Sequence, residues 1–284
     1  MHRILRSLGL VGLIACAMAQ AAGVQEDAAK NIEGDIRGLR KLPDAAVPAE
    51  IKRIARVIAA LPSGQGKLDL AEFLANRSTE GDFGRETLQQ VTDTLVLALR
   101  EHPAPREKGE PASAYLELAE LARYEGMKVW LKTPDYAAAL AKVDATDAAR
   151  RKADFTLTDL GGKKWTLSKL RGNVVVVNFW ATWCPPCRKE MPDLEKLYHQ
   201  FKPKGLVILS ISDEPDAKVR PFIAEHKYSY PILLDPGRKV NERYRVAGIP
   251  KSFVYDRRGR MVAQSIDMRT RGQFLALLAK AGLH

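Results

Sequence analysis

The stretch Asn173-Val174-Val175-Val176-Val177-Asn178-Phe179-Trp180-Ala181-Thr182-Trp183-Cys184-Pro185-Pro186-Cys187 decides how this chain reads. The run from Val174 to Trp180 predicts a strand buried on both faces. The amphipathic segment from Arg188 to Phe201 predicts a helix behind it. Two cysteines at C-x-x-C spacing therefore fall where a buried strand hands over to a helix. A thiol at a helix N-terminus faces unpaired backbone N–H groups and the positive end of the helix dipole, which favours the thiolate. The thiolate is the species that attacks disulfides. Pro185 and Pro186 offer it no N–H, and Pro186 suits a helix start, where a missing donor costs little.

The chain has three cysteines. Cys16 belongs to an N-terminal targeting segment, with Arg3 and Arg6 ahead of an apolar run from Leu8 to Ala15 that is too short to span a bilayer. Two processing sites compete. Ala19-Gln20-Ala21 fits a small-x-small cleavage site and makes residues 1–22 a signal peptide. Leu13-Ile14-Ala15-Cys16 resembles a lipoprotein box, which would make 1–15 the signal and Cys16 a lipid anchor. The run Ala17 to Ala22 leans towards plain cleavage, and either route implies export. Cys184 and Cys187 then remain. A bond between them closes a ring too small to constrain much of the unfolded chain, so a redox role outweighs a structural one.

At 284 residues, with 46% hydrophobic and 28% charged residues, the chain can hold two domains of ordinary size. Its net charge of +11 is unevenly spread. From Val24 to Arg150 there are 18 Lys and Arg against 21 Asp and Glu; from Arg151 to His284 there are 25 against 13. Such a break suggests a domain boundary. A basic half is first of all a solvated surface, and it also suits acidic partners or an anionic membrane. The basic residues form no aromatic-interleaved stripe, which argues against nucleic acid.

Residues 24–150 read as a small all-α domain whose role the residues leave open. Ile51, Ile54, Ala55 and Ile58 recur at helical spacing, as do Leu88, Val91, Leu95, Ala98 and Leu99, and again Tyr115, Leu118, Ala119 and Ala122. Asp69 and Glu72 resemble a capping box. Pro62 to Gly66 and Pro103 to Pro111 read as breakers. Residues 151–284 alternate strand and helix, beginning with a hairpin about Asp159-Leu160-Gly161-Gly162. The order implies an α/β fold with one mixed sheet flanked by helices.

The motif from Asn178 to Pro192 (NFWATWCPPCRKEMP) and Gly248-Ile249-Pro250, 63 residues after Cys187, resemble the thioredoxin superfamily. More narrowly, residues 153–284 look like its exported TlpA, ResA and CcmG-type thiol–disulfide oxidoreductases, which are related to the redoxin and AhpC/TSA proteins. The resemblance implies a thioredoxin-like fold, a redox-active Cys184–Cys187 disulfide with no other cofactor or metal, and protein thiols and disulfides as partners. It implies that Pro250 is cis and that Ile249 pairs with an extended substrate. Cys184, at an exposed helix entrance, is expected to attack, and the more covered Cys187 to resolve. Trp183, Pro185 and Pro186 would line the substrate side. Asn178 replaces the buried aspartate of thioredoxin, so another acid must serve the buried thiol; Glu190 and Asp213 are the candidates. Lys251, where the family often has Thr or Ser, would add positive charge beside the dithiol and favour acidic substrates. The family's substrates are haem-site cysteines of apocytochrome c or copper-site dithiols, with a membrane electron donor.

Two other readings compete. A thiol peroxidase would carry Pro and Ser or Thr where Val177 and Ala181 stand. Cu(I) or Zn(II) binding by the thiolates would want further ligands, and His199 lacks a second histidine at zinc-finger spacing.

Overall fold

A computed structural model describes residues 29–284. The signal segment, both its processing sites and Cys16 lie outside the described residues. Helices α1 (Val47–Ala60), α2 (Gln65–Arg77) and α3 (Arg85–Glu101) pack on one another. The apolar positions at helical spacing are the ones they bury: Ile51, Ile54, Ala55 and Ile58 on α1, and Val91, Leu95, Ala98 and Leu99 on α3. Asp69 does not cap a helix. Nothing between Gln65 and Asp69 stops the turn, so α2 begins at Gln65, and Asp69 accepts a bond from its side chain at 2.7 Å.

Helix α4 (Ser113–Tyr124) forms where the periodicity predicts it, and helix α5 (Pro134–Arg151) completes the segment read as helical. They do not group with α1–α3. The chain forms two compact units, one running to Arg77 and from Phe83 to Ala104, the other comprising Ser78–Asp82 and Pro105–His284. The contact division thus falls well before the charge break at residues 150 and 151.

Strands β1 (Thr156–Thr158) and β2 (Lys164–Thr166) make the expected antiparallel hairpin. Strand β3 (Val174–Phe179) is buried at every position. It pairs in parallel with β4 (Leu206–Ser212), which pairs in parallel with β5 (Ile232–Leu234). On its other side β3 runs antiparallel to β6 (Lys251–Tyr255), which pairs with β7 (Met261–Gln264). Strand side chains alternate between faces, so the valine run feeds two cores. Val174 and Val176 pack with Met191 and Leu194 of α6 (Pro185–Phe201), Val219 of α7 (Asp216–His226), and Phe274 and Leu278 of α9 (Arg271–Lys280). Val175, Val177 and Phe179 pack with Phe253 and with Val240 of α8 (Lys239–Arg243). This is the α/β mixed sheet flanked by helices that the sequence predicts.

A buried polar cluster explains why α4 and α5 group with the sheet. Arg150 donates through Nε to the Tyr244 carbonyl at 2.8 Å, through Nη2 to the Arg245 carbonyl at 3.1 Å and through Nη1 to Gln264 Oε1 at 3.0 Å. Its guanidinium lies 5.2 Å from the Phe253 ring centre. Asp147 Oδ1 accepts from Gln264 at 2.6 Å and from the Tyr124 hydroxyl at 2.8 Å. Buried polar groups are costly when one partner is removed. Arg150→Met is therefore expected to lower stability in urea unfolding by about 3 kcal/mol, whereas Arg151→Met, at an exposed position, should stay within about 0.5 kcal/mol. Equal effects at the two positions would show that the cluster does not anchor α5.

Candidate active site

Strand β3 delivers the chain to the dithiol. Trp180, just past its end, is buried, and its backbone N–H donates to the Ile211 carbonyl at 3.0 Å. Helix α6 starts at Pro185 with Cys184 as its N-cap. The first two helical residues are prolines and have no N–H to give. The first side-chain cap bond is therefore made by Cys187, whose N–H donates to Cys184 Sγ at 3.3 Å. The two sulfurs are bonded to each other.

Facing the pair is the loop before β6. The Ile249–Pro250 bond is cis, and Cys184 Sγ lies 3.7 Å from the Ile249 carbonyl oxygen. This loop covers the attacking position. Cys184 is 2% exposed and Cys187 is 1% exposed, so the expected open entrance for Cys184 is closed in the disulfide form. The accessible rim consists of Trp183, 68% exposed, with Pro185 exposed and Ile249 half-buried. Pro186 and Pro250 are buried.

Behind the dithiol lies Glu190, one turn beyond Cys187 on the same helix face and 2% exposed. Its Oε1 accepts from the Asn178 amide at 2.8 Å, and its Oε2 accepts the Arg269 backbone N–H at 2.7 Å. Asn178 also donates to Ser252 Oγ at 3.1 Å and accepts from Ser210 Oγ at 3.1 Å. Burial pushes the Glu190 carboxyl up to about 8, against the pull of the Arg269 N–H. The negative charge of Asp267 adds to the rise. Asp213, the other candidate acid, instead pairs with Arg238 and is not buried. Of the two, only Glu190 sits in the buried network behind the cysteines.

Lys251 corrects an expectation. Its side chain is buried rather than presented beside the dithiol. Nζ lies 3.9 Å from Glu120 Oε2 and 5.5 Å from the Tyr124 ring centre, both on α4, and it donates to the Ile266 carbonyl at 3.4 Å. Burial lowers its pKa. It offers no open charge to an acidic substrate, because α4 covers it. His199 bonds Glu195 Oε1 at 2.7 Å on the helix. Among the described residues no group of three or more His, Cys, Asp or Glu could hold a metal ion.

Glu214 was not apparent from the sequence. Its carboxylate accepts the Thr182 N–H at 2.6 Å and the Thr182 hydroxyl at 2.9 Å, tying the turn before Cys184 to the end of β4. The available signal was an acid just beyond the apolar run from Leu206 to Ser212.

Residues 149–264 match the model of the AhpC/TSA family. The thiol-disulfide oxidoreductase ResA of Bacillus thuringiensis strain Al Hakam is 37% identical over 146 residues, which is 51% of this chain and 84% of the relative. ResA of Bacillus subtilis strain 168 is 34% identical over 128 residues, 45% of this chain and 72% of the relative. The chain belongs to the ResA family of thioredoxin-like proteins. It is accordingly a thiol–disulfide oxidoreductase. A solved thioredoxin-family thiol:disulfide interchange protein from Chlorobium tepidum TLS is 27% identical, matching 45% of this chain and 92% of its own with a TM-score of 0.42. The ResA relatives do not favour the peroxidase reading.

The Glu190 titration carries a signed consequence. A carboxyl raised to about 8 on folding keeps its proton where the unfolded chain, with the ordinary value of 4.5, has lost it. Its contribution is fully present below the unfolded value and is lost as pH rises through the folded value. Glu190→Gln cannot titrate. The difference in urea midpoint between variant and parent should therefore move in the variant's favour from pH 5 to pH 8. A constant difference would exclude a protonated buried Glu190.

Proposed function

We propose that Cys184 attacks and Cys187 resolves in the reduction of protein disulfides outside the cytoplasm. The observation that carries this reading is the N-cap placement of Cys184. Its sulfur receives the Cys187 N–H beyond two donorless prolines, at the positive end of the 17-residue helix α6. In the reduced protein the Cys184 thiolate attacks one sulfur of a substrate disulfide. A mixed disulfide forms, and the other substrate sulfur leaves as a thiolate and takes a proton. Cys187 then loses its proton and attacks Cys184 Sγ. The Cys184–Cys187 bond forms, the mixed disulfide breaks, and the second substrate thiol departs. Two electrons pass from the dithiol to the substrate. No other cofactor is needed.

Glu190 is the buried acid that takes the Cys187 proton. A carboxyl titrating near 8 has both its forms available close to neutral pH. Ile249 offers its backbone to an extended substrate segment, with Trp183, Pro185 and Pro186 beside it. The resemblance to the exported branch, together with the N-terminal targeting segment, supports a periplasmic location, with a lipid anchor at Cys16 if the lipoprotein box is the one processed. Haem-site cysteine pairs of apocytochromes and copper-site dithiols are the substrate classes this branch suggests. A membrane donor would return the dithiol to its reduced form.

Insulin reduction with dithiothreitol tests the assignment. Cys184→Ser should lose at least about 100-fold in rate, and Cys187→Ser should accumulate a mixed disulfide visible by mass. Full activity in the Cys184 variant would reject it as the nucleophile.

A further inference from the structure

The Glu190 carboxyl group accepts a hydrogen bond from the backbone N–H of Arg269. That residue is itself 4% exposed, an unusual place for a guanidinium. Its side chain reaches away from the dithiol to α4, where Nη2 pairs with Glu125 Oε1. Among the described residues Nη1 is buried with no hydrogen-bond acceptor, so Glu125 is the side chain's main hold there. Glu125 is the C-cap of α4, and its side chain is only 15% exposed. An acid at the negative end of a helix is locally unfavourable. Pairing with Arg269 offsets that cost and makes the two groups depend on each other.

We propose that Arg269, anchored by Glu125, is a positioning residue that holds a backbone N–H over Glu190. Helix α4 thereby acts on the redox pair from outside the family-like part of the chain. The segment carrying Arg269 is otherwise held at its ends and, near its start, by the bond from Lys251 to the Ile266 carbonyl. Ser265 donates to the Ser252 carbonyl at 2.9 Å, and Thr270 caps α9. Beyond Ile266, the side chain of Arg269 ties the segment laterally to Glu125. Helix α4 is independently seated by the contacts of Glu120 and Tyr124 with Lys251 and of Tyr124 with Asp147.

The groups around the Glu190 carboxyl set the sign of the effect. Asp267 and Arg269 come from the segment before α9, Asn178 from β3, and Tyr230 from the chain before β5. Asp267 opposes ionisation of Glu190, while the Arg269 N–H and charge and the Asn178 amide favour it. Tyr230 is itself held neutral by burial. Loosening Arg269 therefore moves the Glu190 titration upward. The link from that titration to turnover rests on the reading of Glu190 as the proton carrier; the titration itself does not.

Carboxyl carbon NMR of the oxidised full chain reads Glu190 directly, its resonance assigned as the one that Glu190→Gln removes. Arg269→Met should raise its midpoint by roughly one pH unit, the usual response to a lost neighbouring charge or N–H bond. Glu125→Gln should move it in the same direction. Arg269→Lys, which keeps a cation for Glu125, should stay closer to the parent than Arg269→Met does. Circular dichroism establishes that each variant is folded, and the two conservative changes provide the decision if Arg269→Met does not fold. An unmoved or lowered midpoint in folded Glu125→Gln overturns the anchoring. Loss of disulfide reduction by Glu190→Gln bears separately on the proton-carrier reading.

Discussion

A carboxyl group sealed beneath the N-terminus of α6 is the constraint around which this site is built. An ionisable group in an apolar core is costly unless its hydrogen bonds are met. Glu190 meets this cost through a row of polar side chains in the middle of the sheet. Asn178 of β3 lies in register with Ser210 of β4 on one side and Ser252 of β6 on the other, and all three are fully buried. Register and chemistry are therefore one requirement. A slip by one residue would turn Asn178 to the opposite face, leave Glu190 without its amide and set a serine against aliphatic side chains. The same strand carries the chain to Cys184, so the pairing that satisfies the carboxyl also aims the dithiol.

The features legible in the sequence are local in the chain. A valine run makes a two-faced strand, a proline pair makes a helix start, and the cysteine at its cap follows from spacing. The existence of helices α1, α3 and α4 came from periodicity alone. What stayed hidden depends on segments that meet only after folding. The closure of Cys184 comes from a loop 65 residues away at Ile249. The choice between Glu190 and Asp213 turns on which one faces the sheet interior, and Arg238 decides it by holding Asp213 outside. Glu214 has no motif because its role is a bond across to Thr182. Lys251 was misjudged for the same reason: adjacency to a site proline says nothing about which helix covers the ammonium.

The boundary between charge compositions and the boundary between compact units are set by different physics. Composition along a chain counts every residue, exposed or buried, whereas compactness follows buried contacts. Arg150 illustrates the difference. It lies at the last position of the acidic segment, yet its guanidinium is spent on carbonyls of residues 244 and 245 and on Gln264. A cut placed there would leave those acceptors and Asp147 without their cation.

The charge asymmetry itself takes on a second meaning. Read as composition, the excess of acids before residue 151 and of bases after it suggested solvated surfaces or attraction to outside partners. Part of it is internal complementarity. Two cations of the basic segment, Lys251 and Arg269, are buried within the folded unit, and each faces an acid from α4 or its cap: Glu120 for the first, Glu125 for the second. A lone buried cation would shift towards its neutral form or pull the surrounding structure apart. The acids of α4 allow those cations to stay where the chain passes closest to the cis proline and to Glu190. Helix α4 thus completes the electrostatics behind the dithiol.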